Sequence, residues 1–105
     1  MEHCQQTRAR IRLAVAAWAY EVHDDPILTD AEFDALALSI DVRESTSRPD
    51  LDEWFKENFN PSTGMWVHNH PETTALESIY RMIRRSEPTA WEILISRVFV
   101  QLSVD

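Results

Sequence analysis

His68 and His70 stand two residues apart, with Pro71 directly behind them. In an extended segment such a pair points to one side, so the two imidazoles could chelate one metal ion. Zinc would want a third ligand and usually a fourth. Glu72, His23 and Asp24 are the candidates, and none stands at a recognisable metal-ligand spacing. The competing reading is a histidine pair at a loop–helix junction, bonded to backbone, and no metal is expected. Nucleophilic catalysis has no support either: Ser and Thr fall at cap and turn positions, and the single cysteine, Cys4, lies on a terminus expected to fray. The carboxylates crowd at helix starts, where they are ordinarily solvated. No catalytic residue is expected.

The elements that would position these side chains read as helices. The first spans about Gln5 to Val22, with Ile11, Val15, Trp18 and Val22 on one stripe and Leu13, Ala17 and Tyr20 beside it. Its alanines favour helix and allow a close neighbour. Arg8, Arg10 and Arg12 alternate, which suits a solvated helix start. Pro26 cannot continue that helix, so a short acidic turn follows. Thr29 and Glu32 match the reciprocal capping pair, and Phe33, Leu36, Ala37 and Ile40 recur at helical spacing, which predicts a second helix from Asp30 to about Arg43. A third helix starts near Pro49, capped by Ser47 or Arg48, with Leu51, Trp54, Phe55 and Phe59 inward.

Asn60-Pro61-Ser62-Thr63-Gly64 is the clearest turn. Gly64 is the sole glycine, which predicts a positive φ there. Met65-Trp66-Val67 then reads as extended and apolar, either a strap over the core or, with Trp66 exposed, an interface anchor. A fourth helix starts at Pro71 or Glu72, with Thr74 and Glu77 at capping spacing and Leu76, Ile79, Tyr80 and Ile83 inward. The segment from Thr89 to Val104 reads as helix, against a β-branched content that favours strand. The whole is an all-α single domain of four to five helices.

The stretch from Tyr20 through Asp30-Ala31-Glu32-Phe33-Asp34-Ala35-Leu36 resembles a known family. It is similar to the small helical domain at the N-terminus of NAD-dependent DNA ligases, the part that recognises nicotinamide mononucleotide. The family pattern is roughly Tyr-His, a short turn, then Ile-x-Asp-Ala-Glu-Tyr-Asp-x-Leu. The likeness covers about residues 12–40. It implies a nucleotide-contacting set at Tyr20, Glu21, Asp30, Phe33 and Asp34. Two of these depart from the pattern: Glu21 replaces His, and Phe33 replaces Tyr. Glu21 would repel a phosphate, and Phe33 keeps a stacking face but loses a hydroxyl. A ligase also needs a nucleophilic lysine in a Lys-x-Asp-Gly context. The only lysine here, Lys56, is followed by Glu57 and Asn58, so ligation by this chain is excluded.

Net charge is −8, and between Glu21 and Glu57 twelve acids face three bases. Such a surface repels a phosphate backbone, so direct nucleic-acid binding is not expected. No signal peptide or membrane span is evident, and a cytoplasmic location is expected. The leading expectation is a non-catalytic binding protein on the ligase-like scaffold, of the kind small phage or mobile-element genes carry. It would engage a basic protein partner through Asp24, Asp25, Asp41, Glu44, Asp50, Asp52, Glu53 and Trp66. One specific form is a DNA-imitating inhibitor of a host DNA-binding or defence complex. The alternative is a nicotinamide-nucleotide binder taking NMN or NAD.

Overall fold

The structure, a computed structural model, describes residues 5–85. Among them are four α-helices and one 3-10 helix, with no strand: α1 (Gln5–His23), α2 (Asp30–Leu38), α3 (Pro49–Asn58), the 3-10 helix Met65–Asn69, and α4 (Thr73–Arg85). The all-α expectation holds. The segment 89–104 and Cys4 lie outside the described residues.

α1 is the axis of the fold. It packs against α2, the 3-10 helix and α4. Leu13, Ala14, Val15, Ala16, Ala17 and Ala19 are all buried, so its middle is enclosed on several sides rather than along one stripe. Val22 and Tyr20, expected on or beside that stripe, are exposed. The alanines explain the difference: with only a methyl to accommodate, neighbours close in on more than one face. Leu13, Val15, Val67 and Ile79 are the largest fully enclosed side chains.

The helix stops at Asp24, which carries the left-handed φ of 51°. Asp tolerates that conformation better than most residues. The Asp24 and Asp25 amides donate to the Tyr20 and Ala19 carbonyls, which the helix end would otherwise orphan. The positive φ expected at Gly64 is absent; its φ is −102°.

α2 opens with the expected reciprocal cap. The Glu32 amide donates to Thr29 Oγ1 at 3.1 Å, and the Thr29 amide donates to Glu32 Oε1 at 2.9 Å. The helix ends at Leu38, five residues short of the expected Arg43. The reason lies on α1. Gln6 Nε2 donates to the Ser39 carbonyl and Gln6 Oε1 accepts from the Asp41 amide, while Arg10 Nη2 donates to the carbonyls of Asp41 and Glu44. Backbone groups that would continue the helix are captured by side chains instead. Arg10 is therefore buried, not a solvated helix start. Its Nη1 donates to Asp52 at 2.8 Å, and its guanidinium lies 5.4 Å from the Phe55 ring centre.

α3 begins at Pro49 as expected, but neither Ser47 nor Arg48 caps it through its side chain. Asp52 instead gathers the Thr46 amide and hydroxyl. Phe55 and Phe59 of this region meet Trp66 with ring centres 5.8 and 5.3 Å apart. The segment 65–69 is a 3-10 helix rather than extended. The Val67 amide donates to the Gly64 carbonyl, and Trp66 Nε1 donates back to the Thr63 carbonyl at 2.6 Å, folding the indole into the core.

Candidate functional site

Tyr20 and Glu21 close the last turn of α1, and Asp30, Phe33 and Asp34 occupy the first turns of α2. The proline-broken turn folds the two helices face to face, and the five residues line one pocket of about 500 Å³. Ala16 and Ala17 form the α1 side, where short side chains leave room. Pro26, Ile27 and Leu28 wall the turn end, and Ser62, Thr63, Gly64 and Met65 close the opposite rim. Gly64 allows a close approach to α1 there. A Cβ built there would stand 3.3 Å from Ala17 Cβ and 3.5 Å from the Phe33 ring.

The pocket is aromatic and acidic. Phe33 packs partly against the core, while Tyr20 and Met65 are more than half exposed at the mouth. Asp30 and Asp34, one helical turn apart on α2, are exposed and pair with no side chain among the described residues. Glu21 is mostly covered and lies 3.3 Å from His68 Nε2. Such a surface can stack a planar ring and accept hydrogen bonds from hydroxyls.

The residues assigned to a protein partner are scattered. Asp52 is buried on Arg10 and Thr46, and Trp66 is 6% exposed within the core, so neither is available to a partner. These two expectations are corrected: the Asp52 carboxylate serves a folded-state cation, and Trp66 takes the core-strap role. Asp25 accepts from Tyr80 Oη and from Arg84 at 2.6 Å. Arg84 first, then Tyr80, hold its carboxyl below the usual range. Asp41 is paired with Arg43, and Asp50 with Arg48. Asp24, Glu44 and Glu53 are exposed.

The two histidines do not converge. His68 reaches Glu21, whereas His70 is buried and its Nδ1 accepts the Glu72 amide at 3.0 Å. A 3-10 helix turns every three residues, so the shared direction expected of an extended pair is lost. Burial pushes the His70 imidazole down to about 4. No group of three or more His, Cys, Asp or Glu among the described residues could hold a metal ion.

Sequence reasoning missed a second polar cluster, between α1 and α4. Glu77, expected to pair with Thr74 as a cap, instead accepts from Trp18 Nε1 at 2.8 Å and from Arg81 at 2.6 Å, and lies 2.6 Å from His23 Nε2. His23 first, then Trp18 and Arg81, bring its carboxyl down to about 2. His23 also stacks on Tyr80 with ring centres 4.2 Å apart. The local pattern offers only the Glu77–Arg81 pair, one helical turn apart, because Trp18 and His23 lie 59 and 54 residues from Glu77.

No helix among the described residues is long and apolar enough to cross a membrane. No protein-family model matches this chain, and neither does any curated protein or solved structure.

Proposed function

We propose that this chain is a non-catalytic ligand-binding domain whose pocket between α1 and α2 takes a nicotinamide–ribose ligand. One observation carries the reading. The five positions singled out by the ligase-like pattern, Tyr20, Glu21, Asp30, Phe33 and Asp34, share a single pocket large enough for a small ligand. Phe33 and Tyr20 offer faces for the ring. Asp30 and Asp34, which pair with no side chain among the described residues, accept from ribose hydroxyls. The described lining holds no lysine, cysteine or histidine, and this reading assigns its carboxylates and aromatic rings to recognition.

Calorimetric titration with nicotinamide riboside and with nicotinamide mononucleotide tests this. Saturable binding of either, weakened about tenfold or more by Asp34→Asn, is the expected result, since a hydrogen bond to a charged acceptor contributes about 1.5–3 kcal/mol. Flat traces for both at millimolar ligand would overturn the reading.

A further inference from the structure

Resting on that reading, we infer that the pocket selects a positively charged ring bearing an unphosphorylated sugar, and discriminates against the phosphorylated nucleotide. The described residues that line it include three carboxylates, Glu21, Asp30 and Asp34, and no lysine or arginine. A pyridinium ring is attracted both to those charges and to the faces of Phe33 and Tyr20. A phosphate would meet the same carboxylates, with no lysine or arginine among the described lining residues to offset them.

Among the described lining, the N-terminus of α2 is the feature that would welcome an anion. Its own capping pair already takes up part of it. The Glu32 amide donates to Thr29 Oγ1, and the Glu32 carboxylate folds back onto the Thr29 amide. Those two bonds satisfy two amides of the helix start, and the Glu32 carboxylate, itself outside the pocket lining, adds negative charge at that end of α2. Glu21 is the mostly covered member of the set, with its carboxylate oxygen 3.3 Å from His68 Nε2.

Three ligands of nearly one shape separate charge from fit: nicotinamide riboside, its reduced and uncharged dihydro form, and nicotinamide mononucleotide. Each is titrated into the full chain at low salt by calorimetry. The expected order places the cationic riboside at least tenfold tighter than the uncharged form, and at least tenfold tighter than the mononucleotide. Glu21→Gln should narrow the gap between riboside and mononucleotide, with folding checked by circular dichroism. Equal binding of the charged and uncharged ribosides, or tighter binding of the mononucleotide, would overturn the charge selection while leaving the pocket's ligand class intact. Absence of binding by all three would instead remove the reading on which it rests.

Discussion

At Gly64 the backbone is ordinary and the space is not. Its φ of −102° suits any residue, but a methyl would press on Ala17 at 3.3 Å and on Phe33 at 3.5 Å. Gly64→Ala should therefore stay within about 1 kcal/mol of the parent, because reduced freedom of the unfolded chain offsets a mild crowding. Gly64→Val should cost about 1–3 kcal/mol, from overpacking against α1. Urea denaturation of both variants checks this, and equal stability of the two would refute the crowding. The position shows what one sequence can reveal and what it hides. A lone glycine after Asn-Pro-Ser-Thr marks a special site, but a positive φ and a close approach leave the same mark. Among the described residues the left-handed one is Asp24, in the other turn. The five positions Tyr20, Glu21, Asp30, Phe33 and Asp34 were legible through the ligase-like resemblance, and the turn with its capping pair is what brings them to one pocket. The pocket's small residues, Ala16, Ala17 and Gly64, were not, since an absence of side chain carries no local signal.

Among the elements, the course of the chain after α2 depends on one buried cation. Arg10 joins α1 to the carbonyls of Asp41 and Glu44 and to the Asp52 carboxylate of α3. Arg10→Ala leaves a mostly buried carboxylate and two carbonyls without their partner and should cost about 3–5 kcal/mol. Asp52→Asn keeps the shape and removes the charge, and should cost less. Denaturation midpoints of the two variants test the order; an Arg10→Ala loss under about 1 kcal/mol would show that the segment 39–48 holds itself. The start of α2 was readable from Thr29 and Glu32. Its end was not, because Arg10 lies some thirty residues earlier and looked like any solvated arginine.

For the molecule as a whole, acid is the expected weakness. His70 is held neutral down to about 4, against about 6.5 in the unfolded chain, so below pH 6.5 the unfolded state binds the extra proton. Stability should fall as pH drops from about 6.5 to about 4, by roughly 3 kcal/mol at most. Glu77 acts in the same direction over a lower window: its stabilisation is present above about pH 4.5 and fades as pH falls towards 2. His70→Gln retains an acceptor for the Glu72 amide and should flatten the upper part of the profile while leaving the lower. Urea melts from pH 7.5 to about 2.5 measure this, and an unchanged slope between pH 6.5 and 4 in the variant would assign the loss elsewhere.

The turn that walls the pocket is also fastened from behind. Asp25 is held by Tyr80 and Arg84 of α4, and the next three residues, Pro26, Ile27 and Leu28, face the cavity. A ligand of the proposed kind, seated between the first two helices, would lean on a support anchored in the fourth. Tyr80→Phe keeps the ring stacked on His23 and deletes only its bond to Asp25, so it should loosen that support and weaken affinity at a distance. Remote positions of this kind, untouched by the guest, are where retention could be tuned without altering the cavity itself.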